Sequence, residues 1–408
     1  MNSQPVRVDR GHKTVRIGIA GFGAAARAFV PAIQAHPGFE LVAVAEPMLS
    51  VREEAAAALG VAVYPSVPAM LCGARLDAVY IATPTEMHSV HVLGALAACK
   101  HVLVEKPMAV NLSVAKEMVD AADMAGTVFL VGHSHSYDLP IQKMRALIVG
   151  GTLGRVRMVN TWCYTDWIYR PRRPEELITA HGGGVTYRQG SHQFDIIRLL
   201  CGGRVKSVKA RTFDMDSTRR AIGAHAVFVD FEDGEAATAV YNGYGGFSSM
   251  DLGFNVSEWG FEQPESTRNF ARRPANNAAA VDELEAKRKR AKTAIPGSAP
   301  LQPFFGMTLV SCEKGDIRQS PQGLFIYSSE GTQEITLPAD RSPSDLVMAE
   351  FYDAITGHAP AIHDGRWGLA NLAVCEAAIA SSVSGREEAA LYQVANTFDA
   401  VQPSAHPQ

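Results

Sequence analysis

In the stretch GGGVTYRQGSHQFDIIRLLCGG, Gly182 to Gly203, Arg188 and His192 stand four positions apart just behind three glycines. On a helix such positions share a face, so a permanent cation and a titratable imidazole would point into one space. That is costly unless an anion stands nearby. A second centre is Val104-Glu105-Lys106-Pro107, which closes an apolar run. A lysine at the carboxyl edge of a sheet becomes a proton carrier when partial burial lowers its pKa; on an open surface it is only a solvated charge. The third is YRPRRPEEL, whose Arg170, Arg172 and Arg173 are stiffened by Pro171 and Pro174. Guanidinium groups on a stiff loop suit carboxylates, and Tyr164, Trp167 and Tyr169 beside them could pack on a flat ring. The plainer alternative for this loop is a basic surface turn neutralised by Glu175 and Glu176. For Arg188 it is a side chain turned to solvent or paired with Asp195 or Glu175.

These side chains need a scaffold. TVRIGIAGFGAAARAFVPAIQ reads as strand, glycine turn and helix, and FELVAVAEP, VREEAAAAL, DAVYIATP, HSVHVLGALAAC, HVLVEKP, LSVAKEMVDAADMAG and TVFLVGH continue the alternation. The pattern predicts an α/β fold with a doubly wound parallel sheet covered by helices on both faces. Gly21, Phe22, Gly23, Ala24 and Ala25 would let a pyrophosphate approach the N-terminal end of the following helix. Glu46, about 20 residues on, would accept the ribose hydroxyls and repel a 2′-phosphate, which favours NAD over NADP. After residue 135 the rhythm changes to longer strand-like segments, among them RVRMVNTWCYTDW, RVKSVKARTF, HAVFVDFEDGEAATAVYNGY, LFIYSSEG and TQEITLP. We therefore expect a nucleotide-binding domain over 1–135 and a substrate-binding and oligomerisation α/β domain over 136–395. The second carries a large open, mostly antiparallel sheet. Residues 258–300 form a polar insertion, a solvated helix or loop with a lid or subunit contact as the alternative, and 396–408 a tail.

Composition narrows the partners. The 408 residues are 47% hydrophobic, enough for packed cores, and 38 Lys+Arg against 42 Asp+Glu leave a net charge of −4, which argues against nucleic acid. Cysteines at 72, 99, 163, 201, 312 and 375 form no CxxC pair and no metal-ligand spacing, so no metal is expected and a reducing cytoplasm fits. No apolar run has the length of a signal peptide core or a membrane span, so no membrane partner is expected.

The segment ATPTEMHSVHVLGALAACKHVLVEKPMA, with the glycine loop before it and the GGG segment after it, resembles the glucose-fructose oxidoreductase, inositol dehydrogenase and rhizopine catabolism (Gfo/Idh/MocA) family. The resemblance covers most of residues 14–205 and runs more loosely to about 385. It implies an N-terminal Rossmann domain holding NAD, with Thr83, Pro84, His88, Glu105 and Lys106 joining Gly21 to Ala25 and Glu46 at the cofactor. It also implies a homodimer or homotetramer built through the open sheet. In such enzymes the EKP lysine, matching Lys106, works with an Asp and a His one helical turn apart. The His matches His192; Arg188 stands where the acid belongs. Sugars want acceptors, whereas an arginine wants an anion, so the substitution implies a small carboxylated substrate. GHSHSYDLPI, TWCYTDWIYRPRRPEEL and the GGG segment resemble a smaller branch acting on carboxylated aromatic cis-dihydrodiols, of the phthalate 4,5-cis-dihydrodiol dehydrogenase kind. His133 and His135 stand where many sugar-type relatives carry Asn and Arg. The implied activity is NAD-dependent oxidation of such a diol to a catechol. His192 removes a hydroxyl proton directly or through Lys106, or Lys106 stays cationic and stabilises the developing alkoxide; carboxylates lie on Arg188 and on Arg170, Arg172 or Arg173, and Tyr164, Trp167 and His135 line the ring. A polyol dehydrogenase and a nicotinamide-binding regulator without turnover are the alternatives.

Overall fold

The computed structural model describes residues 13–263, 283, 285–287, 289 and 299–396. Most of the polar insertion, residues 1–12 and the tail from 397 lie outside the described residues. The first unit follows the expected alternation: β1 (Val15–Ala20), α1 (Ala24–Ala35), β2 (Phe39–Ala45), α2 (Leu49–Leu59), β3 (Ala62–Tyr64), α3 (Val67–Gly73), β4 (Ala78–Ile81), α4 (His88–Ala97), β5 (His101–Glu105), α5 (Leu112–Ala125) and β6 (Phe129–Gly132), with the short strand β3 and helix α3 added, which the sequence reading missed. The strands are all parallel, in the order β3-β2-β1-β4-β5-β6. Every residue of β4 and β6 is buried, as strands covered on both faces must be. The order reverses between β1 and β4, so the crevice for a ligand opens at the carboxyl ends of these strands and of β5.

The second unit begins with α6 (Leu139–Val149) and β7 (Val156–Tyr164). It contains α7 (Val185–Arg188), α8 (Gly190–Leu200), β8 (Val205–Phe213), β9 (Ala224–Phe231), β10 (Ala236–Asn242), β11 (Met307–Cys312), β12 (Gly315–Ser320), β13 (Gly323–Ser328), β14 (Gly331–Thr336) and β15 (Glu388–Ala389). These strands form one nine-stranded sheet, β14-β13-β12-β11-β7-β10-β9-β8-β15, in which only the β7–β10 pair is parallel. One face packs on α8 and on the helix Gly365–Ser384; the other leaves Met158, Trp162 and Phe228 exposed at 44%, 40% and 48%.

Two expectations need correction. The segment 182–203 is not one helix: Gln189, at φ −120° and ψ −37°, breaks it between α7 and α8, so Arg188 and His192 do not sit on successive turns. Nor does the chain divide linearly at 135, because the helix Pro343–Thr356 returns to the first unit and buries Val347, Met348 and Phe351 in one cluster with Ile17 and Ile19.

Beneath α8 a charge is buried without access to water. Arg198 donates to Trp367 O at 3.1 Å and Gly203 O at 3.1 Å, and its guanidinium lies 3.9 Å from the Trp367 ring centroid. Asp195 Oδ1 accepts the Trp367 indole N–H at 2.6 Å, so one indole links anion and cation. Burial lowers the Arg198 pKa to about 9, opposed by Asp195. Removing one partner of a buried pair leaves the other uncompensated, so Arg198→Ala is expected to lose about 3–5 kcal/mol of stability in urea unfolding. A loss below about 1 kcal/mol would show that the network is not what fastens α8 to the long helix.

Candidate active site

Three turns at the carboxyl ends of β1, β4 and β5 build the crevice. Gly21 has φ +86°, and a Cβ there would fall 2.9 Å from Ala82 O, so only glycine lets the first two turns meet. At Gly23, which opens α1, a Cβ would meet nothing within 4 Å: the space a pyrophosphate needs is present, and Ala24 and Ala25 begin the helix behind it. Glu46 directly follows β2. Its Oε2 accepts the Phe22 N–H at 3.0 Å and its Oε1 the Met48 N–H at 3.0 Å, leaving lone pairs on both oxygens for a diol. Arg52 donates to Glu46 O and Pro47 O, at 2.7 and 3.1 Å, and not to the carboxylate. The chemistry of this donor set fits NAD.

At the second turn, Thr83 Oγ1 lies 3.0 Å from His91 Nδ1, and Pro84 leads into the short turn Thr85–Met87. His88 takes a role other than the expected cofactor contact. It is buried, with Nε2 at 2.9 Å from Thr83 O and Nδ1 at 3.0 Å from Pro107 O, and burial lowers its pKa to about 4. It is a strut between the cofactor turn and the lysine turn. At the third turn, Glu105 accepts the Tyr80 hydroxyl at 2.6 Å, and burial raises its pKa. Lys106 Nζ donates to Arg188 O at 2.8 Å. Burial first, and the Arg188 cation second, bring Lys106 down to about 7.

The three glycines bring a buried carboxylate to Arg188. A Cβ on Gly183 would fall 2.7 Å from Glu175 O, and Gly184, at φ +83°, donates its N–H to Glu176 O at 2.9 Å. The turn Pro174–Leu177 is thereby pressed against the start of α7. Glu176, only 1% exposed, then receives Arg188 Nη2 at 3.0 Å, while Arg188 Nη1 donates to Thr85 Oγ1 at 2.9 Å. Burial alone would raise the Glu176 pKa; Arg188 and Lys287 hold it at about 2. Neither Asp195 nor Glu175 is the partner of Arg188.

The arginine loop divides by partner. Arg170 donates to Asp166 at 2.7 Å, and Arg173 makes a two-pronged contact with Glu86 at 2.6 and 3.3 Å. Both expected substrate ligands are thus already neutralised. Arg172 stacks 4.0 Å from the Trp167 ring centroid and donates from Nε to Trp167 O at 3.3 Å; its guanidinium lies 4.0 Å from Glu176, and its backbone N–H donates to Glu283 at 2.8 Å. Trp167 is buried beneath Arg172, which corrects its expected place against the substrate ring. Tyr164 is corrected too. It alternates with Thr161, which touches Gln193 of α8, and so lies on the opposite face of β7, against Phe247 at 5.5 Å.

His192 and His135 do come together, edge to face at 4.6 Å, and Phe305 lies 4.9 and 4.3 Å from the two rings. His135 Nδ1 is 3.3 Å from Asp138 Oδ2. His192 is held neutral by burial and then by Lys106, and its Nδ1 has no partner among the described residues. Both ring nitrogens of buried His133 also lack one, and burial lowers its pKa to about 4. The sequence reading missed Thr85, Glu86, Phe305 and Lys287. Glu86 lies inside the quoted segment, but its partner is 87 residues away and nothing local announces it. The arrangement can hold a dinucleotide, present a neutral amine and a neutral imidazole at one edge, and surround an anion with guanidinium groups.

Comparison with known proteins agrees with this geometry. Residues 15–133 match the model of the GFO_IDH_MocA oxidoreductase family with an NAD-binding Rossmann fold, and 141–251 match the GFO/IDH/MocA C-terminal domain. The 1-carboxy-3-chloro-3,4-dihydroxycyclohexa-1,5-diene dehydrogenase of Comamonas testosteroni is 37% identical over 370 residues, 88% of this chain and 93% of that protein. A solved structure from Bordetella bronchiseptica RB50 superposes with TM-score 0.86 at 38% identity, covering 92% of this chain and all of that one. The WlbA dehydrogenase from Bordetella pertussis, solved with NADH and UDP-GlcNAcA, shares the fold at TM-score 0.69 and 22% identity over 92% of this chain and 99% of that one. If Glu46 holds the ribose, Glu46→Ala is expected to weaken NAD binding roughly tenfold or more, read from NADH fluorescence titration. Unchanged affinity would place the ribose elsewhere.

Proposed function

Because the chain belongs to the Gfo/Idh/MocA oxidoreductase family and carries its NAD-binding Rossmann domain, we propose that it oxidises a carboxylated aromatic cis-dihydrodiol, of the phthalate 4,5-cis-dihydrodiol kind, to the catechol, within the bacterial breakdown of aromatic acids. The observation that carries this is an arginine at position 188, whose carbonyl takes the Lys106 amine and whose guanidinium meets Arg172 at Glu176, where a sugar-type site would place an acid. The 37% identical relative, named for a carboxylated diene diol, supports the same class.

The chain's own residues do the following. Arg172 and Arg188 orient the carboxylated ring. Lys106, held on Arg188 O and largely unprotonated above about pH 7, takes the proton of one ring hydroxyl, with neutral His192 beside it to relay or share that proton. NAD, when bound, accepts the hydride from the carbon that carries this hydroxyl. The hydroxy-ketone then tautomerises to the catechol, and the gain of aromaticity makes the oxidation favourable. Six unpaired cysteines suit a reducing cytoplasm.

Purified protein with NAD and phthalate 4,5-cis-dihydrodiol is expected to produce NADH, with myo-inositol and glucose inert. Reduction with the polyols alone would overturn the reading. The active form of Lys106 is the neutral amine, so kcat/KM should rise with pH through about 7. Lys106→Met should lower it by about 10²–10⁴ and remove that rise; a flat wild-type profile would exclude Lys106 as the base.

We further propose that the exposed sheet face around Met158, Trp162 and Phe228 joins two or four copies of the chain. Trp162→Glu should convert the oligomer to monomer in sedimentation velocity, and an unaffected assembly would move the interface elsewhere.

A further inference from the structure

The rings expected to face a flat substrate are turned elsewhere, Trp167 beneath Arg172 and Tyr164 onto the far face of β7. Another tryptophan is not. Trp259 is 42% exposed, and its ring centroid lies 6.1 Å from that of His135, which itself stands edge to face with His192 at 4.6 Å. Among the exposed aromatic rings of the described residues, Trp259 is the one set against a histidine of the crevice. Phe247 lies against Tyr164, and Phe254 against Phe304 and Phe325.

The chain fixes this indole from two sides. Trp259 stands in a turn closed by the bridge between Val256 and Glu262 and by the Ser257 N–H, which donates to Phe261 O at 2.9 Å. Gly260, at φ +78°, has no room for a side chain, because a Cβ would fall 2.3 Å from Leu301 O. The Phe304 N–H donates to Ser257 O at 3.1 Å, which binds the turn to the segment carrying Phe305, and Phe305 lies 4.3 Å from His135 and 4.9 Å from His192. On the other side, Glu258 reaches Arg170 of the arginine loop at 3.7 Å. Adjacent residues of one tight turn thus meet the arginine loop and the histidine pair, so the turn sits between them. An indole held this way offers a broad apolar face that loses little freedom when it is covered. A flat conjugated ring can lie against that face, whereas a puckered saturated ring meets it only through projecting hydrogens.

We propose that Trp259 is a specificity-determining residue: its indole is the aromatic wall of the crevice and favours a carboxylated ring that is flat and conjugated over a saturated ring of the same charge. This rests on the reading above that the protein oxidises a carboxylated cis-dihydrodiol, whose diene ring becomes aromatic in the product.

The test uses the full chain loaded with NADH and titrates phthalate and cis-cyclohexane-1,2-dicarboxylate by calorimetry, two dianions that differ in the ring. In parallel, NAD-dependent oxidation of the phthalate-type cis-dihydrodiol is followed. Phthalate should bind roughly fivefold or more tighter than the saturated dianion. Trp259→Ala should weaken phthalate about tenfold and the saturated dianion less than about threefold, and should raise KM for the diol about tenfold while kcat changes less than about threefold. Trp259→Phe should keep the preference for the flat ring, and Trp259→Leu should lose it although it restores apolar bulk; a merely structural tryptophan would not sort its replacements by aromaticity. In the wild type loaded with NAD, phthalate should shift the tryptophan emission, and Trp259→Phe should abolish that shift. Equal losses for the two dianions, no loss for either, an emission shift that survives in Trp259→Phe, or no binding of phthalate to the wild type would overturn the wall. If the diol is oxidised while its KM and the phthalate preference ignore Trp259, the wall falls and the oxidation reading stands. If the binding results follow the expectation and the diol is not oxidised, the wall stands and the oxidation reading falls.

Discussion

A carboxylate with 1% exposure stays ionised only if cations replace the water it has lost, and Glu176 is that carboxylate. Much of the local architecture meets this one requirement. Gly183 has no room for a side chain because the backbone of 175–178 lies against it, and that approach carries Glu176 to the end of α7. Arg188 then turns one nitrogen to Glu176 and another to Thr85 of the first domain. The same turn sends the Arg173 side chain to Glu86, again in the first domain. The two domains are thus tied at the crevice by charge, where a small rotation would separate partners.

That arrangement sets the state of the reacting groups. With a carboxylate at position 188, Lys106 would remain an ammonium well past neutral pH. Here the nearest charge at that position is positive, and the lysine's hydrogen-bond partner is the main-chain carbonyl of the same residue. A carbonyl has no net charge and so holds the proton on less firmly than a carboxylate would. Burial and charge therefore act in the same direction on Lys106. They do so on His192 as well, which sits against His135 and Phe305 with no carboxylate among the contacts described. His192 is thus neutral, and Lys106 sheds its proton near neutral pH.

The parts of this picture that depend on local pattern were legible in the sequence. Period, glycine turns and apolar runs place β1, β2, β4, β5 and β6, Gly21, Glu46 and Lys106, because parallel strands buried on both faces leave a continuous apolar signature; β3, three residues long with none buried, leaves none. The hairpin of β9 and β10 follows from its DG turn in the same way. The break at Gln189 was not legible, since no proline marks it and tertiary packing of the wholly buried α8 decides where helix begins. The pairings of Arg173 with Glu86 and Lys287 with Glu176 span 87 and 111 residues, and composition cannot choose among several nearby acids. Trp167 and Tyr164 were misplaced for a related reason. Residue type states what a ring could do, but strand parity and a stacked arginine decide whether the ring is free to do it.

Chemistry and specificity therefore come from different parts of the chain. The lysine, the cofactor turn and Glu46 sit on the first domain, fixed by strand ends that tolerate little change, as the 2.9 Å limit at Gly21 illustrates. The arginines sit on a loop and on α7 of the second domain, and of their acids only Glu86 belongs to the first, so exchanging one of these side chains alters the local charge without moving any strand. Such a division lets one scaffold keep hydride transfer constant while the substrate class changes from neutral polyol to anion. Position 188 is where the two parts meet: its carbonyl takes the Lys106 amine and its guanidinium faces Glu176, so the cation that pairs with the buried acid also lowers the proton affinity of the lysine.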